Sequence, residues 1–93
     1  MPRRRKNRNC RVLDGDRSFK PVGIPRMELE SVELKLDEFE ALRLCDYDGL
    51  SQIEAGESME ISRGTIQRLL LSGRKKIVDA LLNSKEIILT NSH

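Results

Sequence analysis

One segment, residues 50–72, constrains the fold of this 93-residue chain more than any other. It opens with Ser51 and Glu54, whose spacing is that of a capping box, so a short helix is predicted over residues 52–59. We expect this helix to bury one apolar side. The side chains expected there are Ile53, Ala55 or Gly56, and Met59.

A second helix is predicted after a very short connection. Glu60 and Ile61 form the turn, Ser62 is placed to cap, and apolar residues then recur at spacings of three and four over residues 63–82. Ile61 would plug the space between the helices, and Gly56 would let their backbones approach. Glu60 stands where a left-handed residue, usually glycine, is expected, at a cost of about 1 kcal/mol. This layout predicts a helix-turn-helix, whose second helix enters the DNA major groove; the alternative is an ordinary corner in a helical bundle.

The second predicted helix carries polar residues on the side away from its apolar positions. Arginine can bind guanine through two hydrogen bonds, and glutamine can do the same with adenine. Hydroxyl groups and backbone donors at the helix start can reach phosphates. The alternative is that these residues form only the solvated face of a surface helix. The candidate DNA-binding residues here are Ser62, Arg63, Gly64, Thr65, Gln67, Arg68, Arg74 and Lys75.

Charge is distributed unevenly along the chain although its net value is only +2. Residues 1–26 balance at +7, residues 27–62 at −9 and residues 63–93 at +4. Such blocks suggest one surface for a polyanion and another that avoids it. The basic N-terminal arm is either a minor-groove or phosphate contact or a solvated tail. Its candidate DNA-binding residues are Arg3, Arg4 and Arg5.

Other segments predict one more helix and short extended pieces. Apolar residues alternate over residues 30–36, Asp37 is expected to cap a helix over residues 38–47, and a strand over residues 85–90 could pair near Val12. The predicted fold class is mainly α, with a three-helix core of helix-turn-helix type and short extended or β segments at both ends. The predicted parts are a basic arm and extended lead-in (1–36), a DNA-binding domain (37–84) and a short C-terminal strand or tail (85–93).

Catalytic and metal chemistry find little support in the sequence. Cys10 and Cys45 lack the spacing of metal ligands, and His93 is the only histidine. We therefore expect no metal, no cofactor and no enzymatic activity, with Cys45 buried as a small hydrophobe. No apolar run is long enough to span a membrane and no secretory signal is evident, so a cytoplasmic protein is expected.

Several motifs also resemble known families. The segments LDEFEALRL (36–44), DGLSQ (48–52) and ISRGTI (61–66) resemble region 4 of sigma factors. With Met1-Pro2-Arg3 and FKPVG (19–23) added, nearly the whole chain resembles the domain of unknown function 134 family (uncharacterised protein family 0251) of small prokaryotic proteins. The resemblance implies a sigma-region-4-like DNA-binding fold without catalytic residues. It implies DNA contacts at Arg63, Thr65, Gln67 and Arg68.

The sequence thus predicts a protein that binds double-stranded DNA as a transcriptional regulator. Because one such unit makes a small interface, we expect a homo-oligomer, with RNA polymerase as a further candidate partner and no membrane association. The alternative is a protein-interaction module whose acidic residues, within 27–62, dock a basic partner such as a polymerase subunit. RNA binding through the basic arm is a third hypothesis.

Overall fold

The computed structural model describes residues 17–90, and helix dominates that part of the chain. Three α-helices are joined to three short strands, which confirms the predicted fold class. The elements in chain order are β1 (Arg17–Phe19), a 3-10 turn (Arg26–Glu28), β2 (Ser31–Lys35), α1 (Leu36–Leu42), a π-helical turn (Arg43–Tyr47), α2 (Gln52–Met59), α3 (Arg63–Asn83) and β3 (Glu86–Thr90).

The strands form a small sheet in the order β1-β3-β2. β1 runs antiparallel to β3, with Arg17 opposite Leu89, and β2 runs parallel to β3, with Leu34 opposite Leu89. Leu34 and Leu89 are both buried and join the sheet to the helical core. The predicted C-terminal strand is therefore the central strand of the sheet. Its suggested partner near Val12 lies outside the described residues.

β2 leads directly into α1. Lys35 is extended, with φ −75° and ψ 155°, and its backbone N–H donates to Glu38 Oε1 at 3.0 Å. The prediction that Asp37 caps this helix is wrong, because the extended backbone ends at Lys35 and the helix begins with the next residue. Asp37 instead lies in the first turn, where the helix dipole favours a carboxylate.

The first helical segment ends in a π-helical turn. The backbone N–H of Asp48 donates to the carbonyl oxygen of Arg43, five residues back, at 2.8 Å. Gly49 follows with φ 82°, a left-handed conformation that favours glycine. The single helix predicted over residues 38–47 is thus an α-helix continued by a wider turn.

α3 packs against both other helices and supplies the centre of the core. Ile66 is fully buried and Leu70 nearly so. Gly73 lies where α3 meets α1, because a Cβ there would come within 2.9 Å of Leu42 Cδ1. The buried apolar cluster consists of Leu34, Ala41, Leu42, Leu44, Ala55, Met59, Ile66, Leu70 and Leu89.

Ile53 on α2 is not part of this core. It is 59% exposed, so the expectation that it is buried is wrong. Ala55, Gly56 and Met59 form the buried side of α2. At about 100° per residue, Ile53 lies roughly 110° around the helix from the centre of that side.

Cys45 is only half-buried, so the expectation that it is buried is met only in part. Its Sγ lies 4.0 Å from the carbonyl oxygen of Ser51. Burial raises the pKa of the Cys45 thiol, and the neighbouring carboxylate of Asp46 raises it further. Within residues 17–90, no helix is both long and apolar enough to cross a membrane.

Candidate nucleic-acid interface

α2 and α3 meet across a tight turn. Glu60 adopts the left-handed conformation expected for this position, with φ 63° and ψ 40°. The backbone N–H of Ile61 donates to the carbonyl oxygen of Gly56 at 2.9 Å. A Cβ on Gly56 would lie 2.7 Å from the carbonyl oxygen of Ile61, so the missing side chain lets the turn fold back on α2. Ile61 is half-buried and packs against the core, as expected of a plug.

Two hydroxyl residues build the start of α3. Ser62 is extended, and its Oγ accepts a hydrogen bond from the backbone N–H of Thr65 at 3.1 Å. The two hydroxyl groups are also hydrogen-bonded to each other at 2.9 Å. Arg68 Nη2 donates to Thr65 Oγ1 at 3.3 Å, which places its guanidinium beside the helix start. The positive end of the helix dipole adds to this local positive charge.

The outward side of the first turns of α3 is open. Arg63, Gly64, Gln67 and Arg68 are all exposed. A Cβ on Gly64 would find its nearest neighbour, Ser62 Oγ, at 3.9 Å. The structure therefore brings six of the predicted site residues together at one end of one helix. These residues are Ser62, Arg63, Gly64, Thr65, Gln67 and Arg68.

Arg74 and Lys75, further along α3, differ from each other. Arg74 is held by Asp46 through an ion pair of 2.7 Å at Nη2 and a hydrogen bond of 3.1 Å at Nε. The hydrogen bond from Arg74 holds the pKa of Asp46 below its ordinary value. Lys75 is exposed and lies seven residues after Arg68, on nearly the same side of the helix. Lys75 thus extends the open face, whereas Arg74 is engaged on its flank.

The candidate contacts in the N-terminal arm lie outside the described residues. They are Arg3, Arg4 and Arg5. Among residues 17–90, no group of three or more acidic, cysteine or histidine side chains is arranged to hold a metal ion.

Lys76, the cation next to Lys75, points inward, a feature that the sequence did not indicate. Its Nζ donates to Glu38 Oε1 at 2.7 Å and to the carbonyl oxygen of Glu33 at 2.8 Å, and Ser72 Oγ donates to Glu38 Oε2 at 2.5 Å. Burial raises the pKa of Glu38, but the hydrogen bonds from Lys76, Ser72 and the Lys35 backbone outweigh it and hold that pKa below its ordinary value. No local pattern identifies this pair, because its members lie 38 residues apart.

The chain is thus a small, mainly helical protein in which a short and a long helix meet at a tight turn beside an exposed basic face. It belongs to the family described as protein of unknown function DUF134, whose model matches residues 1–93. No solved structure matches the chain.

Among its relatives, a UPF0251 protein of Chloroherpeton thalassium is 45% identical over 93 residues, covering 100% of this chain and 62% of the relative. One of Methanococcus vannielii is 58% identical over 69 residues, covering 74% of this chain and 53% of the relative. One of Caldanaerobacter subterraneus subsp. tengcongensis is 48% identical over 87 residues, covering 94% of this chain and 74% of the relative. The chain therefore spans less than two thirds of the length of the first two relatives.

Proposed function

We propose that this protein binds double-stranded DNA through the N-terminal half of α3 and acts as a cytoplasmic transcriptional regulator. The observation that carries the proposal is the exposed group of Arg63, Gln67 and Arg68 beside the capped start of α3. A helix of this width fits the major groove, where arginine and glutamine can read base edges. α2 and its turn hold the helix from behind, in the arrangement of a helix-turn-helix.

The charge along α3 supports the same proposal. From Arg63 to Val78 the helix contains five Arg and Lys residues and no Asp or Glu. Lys76 points inward and Arg74 is held by Asp46, so a duplex approaching the outward side of this stretch meets Arg63, Arg68 and Lys75 and no carboxylate of the same helix. Such a surface favours a polyanion through the release of counterions from its phosphates.

The acidic block favours DNA binding over the alternative of an interaction module. Many of its carboxylates already serve the fold, as helix caps or as partners of nearby cations and hydroxyls. The acidic residues with such partners are Glu33 (Thr90), Glu38 (Lys76), Glu40 (Arg43), Asp46 (Arg74), Asp48 (Arg43) and Glu54 (Ser51 N–H). A basic partner that docked on these carboxylates would have to compete with the contacts that they already make.

The proposal is tested by the affinity of the full chain for duplex DNA, measured by fluorescence anisotropy with a duplex selected from a random pool. Arg68→Ala should weaken binding by about 5- to 150-fold, the loss expected for a base contact of roughly 1–3 kcal/mol. Arg74→Ala is the matched control, because Asp46 already holds that guanidinium on the flank of the helix. Its loss should stay below about threefold, close to that of a single exposed phosphate contact.

Two results would contradict the proposal. One is an absence of duplex binding at low salt, and the other is an equal loss for both variants when their melting temperatures match that of the unmodified protein. RNA of the same length that competes as well as DNA would favour the third hypothesis instead.

A further inference from the structure

A second surface of α3 is not used by the proposed DNA contact. A groove of about 420 Å³ lies between α3 and the first helical segment. Tyr47 at its edge is 86% exposed, although its ring is large and mostly apolar. The groove, called here the flank groove, is lined by Phe39, Leu42, Arg43, Asp46, Tyr47 and Ile77.

An apolar projection stands beside this recess. Leu81 lies one helical turn after Ile77 on the same side of α3 and is 75% exposed. An exposed apolar side chain of this size that continues an apolar groove is typical of a surface that a partner covers.

We propose that the flank groove is the contact surface for a second copy of this chain, with Leu81 of each copy entering the groove of the other. A two-fold interface requires a surface that is complementary to itself. This surface meets the requirement because a recess and a projection lie side by side on it. Tyrosine, phenylalanine and arginine, which line the groove, are also the residue types enriched in protein interfaces.

The charges at the rim are balanced. Asp46 and Arg74 are paired with each other within one copy, and their side chains remain 44% and 49% exposed. A rim without net charge does not repel an identical surface and offers little attraction to a strongly charged partner. It is therefore compatible with a second copy of this chain.

The position of the flank groove is compatible with the proposed DNA contact. At about 100° per residue, Ile77 and Leu81 lie roughly 110° around α3 from the centre of Gly64, Gln67 and Arg68, and Arg63, which shares the side of Leu81, is about 27 Å away from it along the helix. A second copy would therefore lie beside the DNA-contacting face and leave it open.

The expected spacing of the two DNA-contacting faces also fits two successive major grooves on one side of a duplex. Gln67 precedes Ile77 and Leu81 by ten and fourteen residues, which is about 15–21 Å along the helix. Antiparallel docking then separates the two Gln67 residues by roughly 30–42 Å, a range that includes the 34–36 Å of one turn of DNA. This spacing rests on the proposed function, whereas the contact between copies does not.

Leu81 and Leu82 provide a matched test of the contact. They are neighbours with almost equal exposure, 75% and 76%, but they point in directions about 100° apart. The full chain, without DNA, is followed by sedimentation equilibrium across the micromolar range. The unmodified protein should form a dimer, and Leu81→Lys should raise its dissociation constant about tenfold or more, because a charge enters an apolar recess.

Leu82→Lys should leave that constant within about threefold, as expected for a residue outside the contact. Tyr47→Asp, on the opposite wall of the groove, should weaken the dimer as Leu81→Lys does. Melting curves establish that each variant is folded. A chain that stays monomeric at all concentrations, or a dimer that Leu82→Lys disrupts as strongly as Leu81→Lys, would overturn the proposal. Because no DNA is present, neither result bears on duplex binding, which the Arg68 and Arg74 variants test separately.

Discussion

The first turns of α3 and its later turns use basic residues in opposite ways. Near its start, Arg68 points outward and is hydrogen-bonded to Thr65 of its own helix. Further along, Arg74 and Lys76 reach across to carboxylates of the first helical segment. The start of the helix therefore presents positive charge to the surroundings, whereas in its later turns Arg74 and Lys76 hold the fold together and Lys75 stays exposed.

Basic residues can thus contribute to two different properties, the attraction of a ligand and the stability of the fold. A cation on an open helix face adds to the field that attracts a polyanion. A cation beside a buried carboxylate instead offsets the cost of removing that carboxylate from water. Variants at the later turns should therefore change the free energy of unfolding, and variants near the start should change binding.

The largest effect on stability is expected at Lys76. Lys76→Met leaves the carboxylate of Glu38, whose side chain is only 6% exposed, without its cation. We expect the free energy of unfolding to fall by about 3 kcal/mol, as when one partner of a buried ion pair is removed. Urea denaturation of the full chain measures this change.

Arg74→Met is the matched control for that experiment. It removes an ion pair of the same length, 2.7 Å, whose two side chains are both about half exposed. The loss should be below about 1 kcal/mol, since exposed ion pairs contribute little to stability. Equal losses for the two variants would show that burial does not distinguish the two pairs.

The sequence predicts α2, the turn and the start of α3 best. The capping box at Ser51 is present, with hydrogen bonds of 2.9 and 3.0 Å to and from Glu54, and α2 has the predicted bounds. Ser62 caps α3, and Glu60 is left-handed. These features are local, because each depends on residues within about one turn of the helix.

The strand pairing and the ion pairs of α3 depend instead on residues that are far apart in the chain. β2 pairs with β3 with Ser31 opposite Glu86, and nothing in either segment specifies that register. Arg74, Lys75 and Lys76 are also alike as a sequence pattern. Only the packing of α3 on α1 and on the π-helical turn determines which of them meets a carboxylate and which remains exposed for a ligand.

Low pH should lower the stability of the protein by protonating Glu38, the α1 carboxylate that pairs with Lys76 of α3. Because the pKa of Glu38 is lowered in the folded protein, its contribution to stability is complete above the unfolded value of about 4.5 and is lost as the pH falls through the folded value. The free energy of unfolding should therefore decline between about pH 6 and pH 3. Glu38→Gln should flatten that decline, and the two curves should approach each other in acid.

Glu57→Gln serves as the control for removing one negative charge. Glu57 is an exposed residue of α2, so its variant should keep the slope of the unmodified protein. Asp46, whose pKa is lowered by the hydrogen bond from Arg74, contributes in the same direction in every variant and leaves a residual slope. A Glu38→Gln protein that loses stability in acid as steeply as the unmodified chain would contradict the role given to this carboxylate.

The smallest effect is expected at the two ends of α3, where non-glycine residues adopt left-handed conformations. Glu60 precedes the helix with φ 63°, and Ser84 follows it with φ 55°. Glycine relieves a strain of about 1 kcal/mol at such positions, although its greater freedom in the unfolded chain offsets part of the gain.

Glu60→Gly and Ser84→Gly should therefore each be neutral or raise the free energy of unfolding by up to about 1 kcal/mol. The charge of Glu60 also enters, because its carboxylate lies between the C-terminal end of α2, where the helix dipole disfavours negative charge, and the start of α3, where it favours it. Glu60→Gln removes the charge without changing the backbone, and so divides the gain into its two causes. Urea denaturation of all three variants makes the comparison. A gain at Ser84 with a clear loss at Glu60 would mean that the Glu60 side chain makes a contact that stabilises the turn, and that the turn is not simply strained.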